Sequence, residues 1–288
     1  MCLIAFAIGA SPHWPLVIAA NRDEQLNRPT LPLARWTTAE GRQVISGRDL
    51  LAGGTWLGAT PGGRIAFLTN VREGKSLPAP RSRGGLVTRW LEAQCDAESF
   101  VATLKEQSGD YGGFNLFLGD LQRNSWTWVT NKAVMTTPEW WLQTLKPGVY
   151  GVSNAALDTP WPKTLELKRV LRTVLAAQSD AADPDALQAP LWQALGNRER
   201  AFASYLPATG VSMALEEALS SAFVEFPENL YGTRNSTLLL ARQSCLDLEA
   251  TLNASRCEIR MVERTHLRDS LTESQLAYSE SDVAFSLG

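Results

Sequence analysis

Met1-Cys2-Leu3-Ile4-Ala5-Phe6-Ala7-Ile8 and Pro15-Leu16-Val17-Ile18-Ala19-Ala20-Asn21-Arg22-Asp23-Glu24 are two apolar runs of strand length, separated by the turn-rich Gly9-Ala10-Ser11-Pro12-His13-Trp14. Such runs around a turn-rich segment read as a β-hairpin. A turn centred on Pro12 makes partner numbers sum to about 24, which sets Cys2 opposite Arg22, give or take two residues, at the ~4.5–5.5 Å of antiparallel Cα partners. Arg22 and Asp23 cannot both face the Cys2 thiol unless the strand ends or bulges there, because successive strand residues point to opposite faces.

Working outward, further strands are expected at Thr55–Thr60, Arg64–Asn70, Gly113–Gly119, Trp126–Thr130, Val149–Asn154, Ser236–Ala241 and Cys257–Glu263. Helices are expected at Gly85–Ala93, Ala97–Lys105, Pro162–Ala177, Asp185–Leu195 and Met213–Ala222, with Asp96 and Ser212 as N-caps and Leu165, Val170, Leu171 and Val174 at helical spacing. The order lacks regular strand-helix alternation and suits two antiparallel sheets packed together with helices outside. One layered domain over residues 1–288 is expected, with 178–184 either a linker or a loop between two helices.

The 288 residues carry 27 Lys+Arg against 30 Asp+Glu, with 44% hydrophobic residues, the profile of a globular chain with no excess of positive charge for nucleic acid. The densest basic run, Arg81-Ser82-Arg83, reads as a solvated loop. Four cysteines at wide spacing (Cys2, Cys95, Cys245, Cys257) form neither a disulfide framework nor a metal or redox pair, so a reducing, cytoplasmic compartment is expected. The first eight residues have no basic flank and are too short to span a membrane, and no other segment is long enough. Two histidines, His13 and His266, are too few and too far apart for a closed zinc site.

Two readings fit Cys2. As the first residue after removal of Met1, expected when a small residue follows, it would carry thiol and α-amine on one carbon. An amine of pKa about 7.7–8.0 can then take the thiol proton without a histidine. Alternatively, Cys2 is a small apolar residue opening a buried strand. Asn21-Arg22-Asp23-Glu24 is likewise either a functional end to a strand, its guanidinium favouring the thiolate, or a charged hairpin end. Gly151-Val152-Ser153-Asn154-Ala155 approaches a nucleophile elbow, with Asp247 and His266 following in serine-hydrolase order.

Cys2, Asn21-Arg22-Asp23-Glu24, Gly53-Gly54-Thr55-Trp56-Leu57-Gly58, Leu68-Thr69-Asn70-Val71-Arg72, Tyr150-Gly151-Val152-Ser153-Asn154 and Tyr231-Gly232-Thr233-Arg234-Asn235-Ser236-Thr237 occur in order over residues 2–237. Together they resemble the NRDE, or transport and Golgi organisation, family. The resemblance implies an α+β, four-layer αββα N-terminal-nucleophile (Ntn) hydrolase fold, distantly similar to choloylglycine hydrolases and penicillin V acylases. It implies Cys2 as nucleophile, Arg22 and Asp23 as the residues that set the thiolate and hold the amine, Asn70 at the oxyanion hole, Asn154 positioning the amine and Arg234 completing the site. In the choloylglycine hydrolases the arginine and aspartate are separated, whereas here they are adjacent.

The expected activity is a cysteine hydrolase or acyltransferase acting on a non-peptide amide or a thioester through a Cys2 acyl-enzyme, with no metal or organic cofactor. The alternative is a non-catalytic protein that handles haem, an acyl-CoA or a lipid on the same scaffold, with Cys2 or His13 as an axial ligand if the ligand is haem. A third reading, a purely structural partner, would need an exposed apolar patch.

Overall fold

The computed structural model describes residues 2–74, 79–132, 140–178, 183–244, 256–267 and 277–287. The opening hairpin is β1 (Cys2–Ile8) and β2 (Leu16–Gln25), in the register that the turn arithmetic gives: Cys2 pairs with Arg22 and Ile8 with Leu16. All seven residues of β1 are buried, because it lies inside a sheet covered on both faces.

Two antiparallel sheets follow. One contains β3 (Thr30–Thr37), β4 (Gln43–Asp49), β5 (Leu57–Ala59), β6 (Arg64–Asn70), β7 (Phe114–Asp120), β8 (Ser125–Thr130) and β9 (Trp141–Thr144), in that order. The other has the order β10-β1-β2-β12-β13-β14, where β10 is Gly148–Val152, β12 Tyr231–Ser244, β13 Arg256–His266 and β14 Tyr278–Ser286; the short β11 (Glu225–Phe226) pairs with β12. Helices α1 (Gly84–Glu92) and α2 (Ala97–Lys105) cover the first sheet, and α3 (Pro162–Ala177) and α4 (Pro184–Leu195) the second. A short α5 (Met213–Ala218) follows them in the chain.

The layers follow from side-chain alternation. Even-numbered residues of the hairpin (Ile4, Phe6, Ile18) join Phe67 and Phe117 between the sheets, whereas odd-numbered ones (Leu3, Ala5, Val17, Ala19) pack under α3 and α4 with Leu167, Leu171 and Leu191. A third core, with Trp90, Phe100 and Leu116, lies under α1 and α2. The result is α/β/β/α, as expected.

The caps Asp96 and Ser212 accept from the backbone N–H of Ser99 and Leu215. One detail differs from expectation: Leu165 is exposed, because the buried stripe of α3 runs through Thr164, Leu167, Lys168, Leu171 and Val174. The candidate linker 178–184 falls between α3 and α4, which share one core; residues 179–182 are outside the described set.

Candidate active site

Cys2 and Arg22 are cross-strand partners on the face between the sheets, so thiol and guanidinium share one environment. They open into a cavity of about 320 Å³, near the lower end of the ~300–1,000 Å³ range of small-molecule sites. The second sheet supplies its floor; Leu68 and Asn70 at the end of β6, Thr55 and Trp56, and Ser82, Arg83 and Gly84 at the start of α1 supply the wall opposite, with Tyr231 at the side. Gly54 is needed for this closure: a Cβ there would lie 2.4 Å from the backbone carbon of Gly84, so only glycine lets the 53–54 turn seat the start of α1 against the cavity. A larger hollow of about 710 Å³ between α3 and α4 contains none of the six expected site residues.

Arg22 is 5% exposed and lies flat on Trp56, 4.3 Å from the ring centre. Its Nη2 is 3.8 Å from Glu24, and its buried Nη1 has no hydrogen-bond partner among the described residues. Burial raises the Cys2 thiol pKa; Asp23 adds to that shift and Arg22 opposes it.

Asp23 lies on the other face. β2 stays regular against β1, and the bulge falls instead in β12, where Thr233 pairs with Asp23, Asn235 with Arg22, and Arg234 is the extra residue. Thr233 Oγ1 donates to Asp23 Oδ1 at 2.6 Å and Tyr231 Oη to the Asp23 carbonyl at 2.8 Å. Burial raises the Asp23 pKa and the charge of Lys163 opposes the rise. Lys163, at the start of α3, is itself brought down to about 8 by burial, and its ammonium donates to the Leu219 carbonyl at 2.7 Å. Both neighbours line the cavity, but their side chains have different surroundings: the Arg22 guanidinium lies over Trp56 and the Asp23 carboxylate is bonded to Thr233 near Lys163.

Asn70 lines the cavity at the end of its strand. Asn154 does not line it; its Nδ2 donates to the Asn70 carbonyl at 2.8 Å, while its own carbonyl accepts from Arg72 N–H at 2.8 Å. The adjacent Ser153 Oγ donates to the Cys2 carbonyl at 2.9 Å. Ser153-Asn154 thus ties the start of β1 to the end of β6, one strand from each sheet. Arg234 is turned from the cavity and donates through Nη1 to the carbonyls of Gln25 and Arg28, bracing the turn after β2.

The serine-hydrolase arrangement does not form around Ser153, whose hydroxyl is spent on the Cys2 carbonyl; Asp247 and Cys245 lie outside the described residues. His266 instead meets Ser236, Nε2 to Oγ at 2.8 Å, while that hydroxyl donates to Asn21 Oδ1 at 2.6 Å and is 3% exposed. A serine that gives its proton to a buried amide is a structural link rather than a nucleophile. His13 lies at the turn end of the hairpin, away from the cavity that Cys2 lines at the open end. Arg81-Ser82-Arg83 is divided: Arg81 pairs with Asp110 at 3.3 Å near the surface, and Arg83 turns to the cavity.

Trp56 and Tyr231 lie within the quoted motifs, but nothing in the sequence assigned them to the site. Glu263 carried no signal at all. It is 1% exposed between the sheets and accepts from Leu33 N–H at 2.9 Å, Thr237 Oγ1 at 3.1 Å and Asn235 Nδ2 at 3.3 Å; burial pushes its pKa to about 7.

The family model described as Transport and Golgi organisation 2 matches residues 1–264. The chain belongs to that family. It is 32% identical over 252 residues to the mouse Transport and Golgi organization 2 homolog, covering 83% of this chain and 88% of the relative. It is 31% identical to the human homolog, over the same shares of each chain, and 26% identical to the Drosophila melanogaster protein, covering 83% and 87%. Among solved structures it is similar to a Caenorhabditis elegans N-acylethanolamine-hydrolyzing acid amidase ortholog, with a TM-score of 0.49, 11% identity and 82% and 92% of the two chains covered. It is also similar to a conjugated bile acid hydrolase of Clostridium perfringens, with a TM-score of 0.48, 9% identity and 86% and 90% covered. Among the described residues of this family member, no helix is long and apolar enough to cross a membrane.

Proposed function

We propose that this member of the Transport and Golgi organisation 2 family is an N-terminal-nucleophile enzyme in which Cys2, exposed by removal of Met1, cleaves a non-peptide amide or a thioester. The observation that supports this best is the register that sets Cys2 against Arg22 inside one cavity, with Asn70 in the wall. In this reading the α-amine takes the thiol proton and the sulfur attacks the carbonyl carbon. The resulting oxyanion accepts from the Asn70 side-chain N–H. Collapse breaks the C–N or C–S bond, the leaving group takes the proton back from the ammonium, and an acyl-Cys2 thioester remains for water or an acceptor amine to cleave.

The arrangement of Arg22 and Asp23 fits a division of labour. In this reading Arg22 acts on the sulfur from its own face of the sheet and Asp23 on the α-amine, a main-chain atom, from the other.

A second reading, binding without turnover, has one observation in its favour: burial holds the Cys2 thiol toward its protonated form. Intact mass and peptide mapping separate the two, before and after a limiting thiol electrophile at neutral pH. Loss of Met1 with labelling of Cys2 ahead of Cys95, Cys245 and Cys257, the Cys2 label alone being lost on Cys2→Ala, is the expected result. Retained Met1, or Cys2 no more reactive than the others, overturns catalysis and leaves binding.

A further inference from the structure

Cys2, Arg22, Asn235 and Thr265 stand in one row across β1, β2, β12 and β13, and Thr237 and Glu263 are partners in the row beside it. These residues alternate in step with Ile4, Ala20, Leu239 and Met261, so both rows are on the face between the sheets. Glu263 accepts from Asn235 Nδ2 at 3.3 Å and Thr237 Oγ1 at 3.1 Å in its own sheet. From the facing sheet it accepts from Leu33 N–H at 2.9 Å, where β3 breaks its register between Leu31 and Ala34. Three donors aimed at one carboxyl group suit the ionised form, which only accepts. Burial favours the protonated form, and the balance falls at about 7.

A second, independent observation is at Arg22. Its Nη1 is buried without a hydrogen-bond partner among the described residues, so that end of the guanidinium is shut off from the cavity and is answered from inside the protein. On its cross-strand partner Asn235, Oδ1 is also buried without a partner among the described residues, while Nδ2 of the same amide is bonded to Glu263. The charge of Arg22 favours the ionised form of both Cys2 and Glu263. Two acids that share one buried cation oppose each other's ionisation. The other charges nearby are placed differently. Glu24 is 3.8 Å from Arg22 Nη2 and partly exposed, Asp23 is bonded to Thr233, and Arg264 lies over Trp192 and is bonded to Glu280. Leu33, Asn235 and Thr237, which face Glu263 from β3 and β12, carry no titratable group.

We propose that Glu263 is a positioning residue for Cys2, acting through Asn235 and the charge of Arg22: ionised, it draws on the guanidinium and holds the thiol back, and protonated, it leaves the guanidinium to the thiolate. This deepens the reading of Cys2 as nucleophile and rests on it. Activation of the sulfur then depends on where the Glu263 proton is, one strand beyond the residues that line the cavity.

The test is the rate of Cys2 alkylation by limiting iodoacetamide, followed by peptide mapping across the neutral and alkaline range. Glu263→Gln is expected to lower the apparent pKa of Cys2 and to raise its labelling rate at neutral pH roughly three- to tenfold, the effect of removing one opposing charge. A Glu263 that only joins strands would change the rate by one factor at every pH and leave the apparent pKa in place. That result, a raised pKa, or a Cys2 that reacts in neither protein overturns the inference. In an Arg22→Gln background the shift should vanish, and a shift of undiminished size overturns the route through the guanidinium. Thr237→Val keeps Glu263 but removes one donor to its carboxylate, so it should move Cys2 the same way by less, and its result decides if Glu263→Gln does not fold. Alkylation needs no turnover. A Cys2 no more reactive than Cys95 or Cys257 overturns catalysis and still reports whether Glu263 shifts it.

Discussion

The space between the two sheets has two unlike ends. At one, Phe6 packs edge-on to Phe67 and Phe117 at 5.1 Å and stacks on Tyr150 at 5.3 Å, and Phe67 stacks on Phe117 at 4.7 Å. At the other, Cys2 and Arg22 of the hairpin are buried together with Asn235 of β12 and Glu263 of β13, and a cavity opens. The aromatic end holds the sheets together by burial and close packing. The polar end gives up that stabilisation, since a buried charge with incomplete partners costs several kcal/mol. A site with unspent hydrogen-bonding capacity can be kept in a folded core because the other end of the same strands is apolar.

Four substitutions test the contrast. Phe67→Ala, at the aromatic end, should cost about 3–5 kcal/mol in urea unfolding and lower activity only as the folded fraction falls; a loss below about 1 kcal/mol would mean that this end is not the clamp. Asn70→Ala, at the polar end, should do the reverse, lowering the acylation rate by ~10²–10³ with little change in stability, so an unaltered rate would remove Asn70 from the oxyanion role.

Glu263→Gln probes the burial cost directly. The folded protein holds the Glu263 proton up to about pH 7 and the unfolded chain releases it near 4.5. The folded state therefore binds more protons between those values, and this group makes stability fall as pH rises from about 4.5 to 7. Gln removes that slope and should stabilise the protein at pH 8 by about 2–3 kcal/mol, with no gain at pH 4.5; parallel pH profiles of the two proteins would contradict it. Last, Ser153→Ala removes one bond to the Cys2 carbonyl and should cost about 1 kcal/mol, with a larger effect on Cys2 labelling than on the unfolding midpoint if it also holds the nucleophile in place.

What was legible in the sequence follows the same division. Strands inside the sheets announce themselves as apolar runs between turn residues, and a tight turn fixes register, so Cys2 against Arg22 was readable from residue numbers alone. The unexpected strands are β3, β9 and β14, at three of the four sheet edges, together with β4 and the two-residue β11. Edge strands are half-solvated and carry polar or charged residues and proline, as in Thr30–Thr37 with Pro32, which hides their period. Arg83 was readable only as part of a basic run, because its burial depends on Gly54 admitting the start of α1. Glu263 looked like any charged strand residue.

By itself the sequence determined the hairpin and its approximate register, the order of the helices and of the nine expected strands, and a nucleophile candidate at residue 2, because these depend on local periodicity, turn chemistry and spacing. Only the tertiary structure decided that the Arg22 guanidinium lies over Trp56 while the Asp23 carboxylate bonds Thr233, that Arg234 braces a turn, and that Arg22 and Arg83 line one space. Each depends on which sheet face is covered, where a bulge falls and which loops close over a strand end, and these are set by packing between segments distant in the chain.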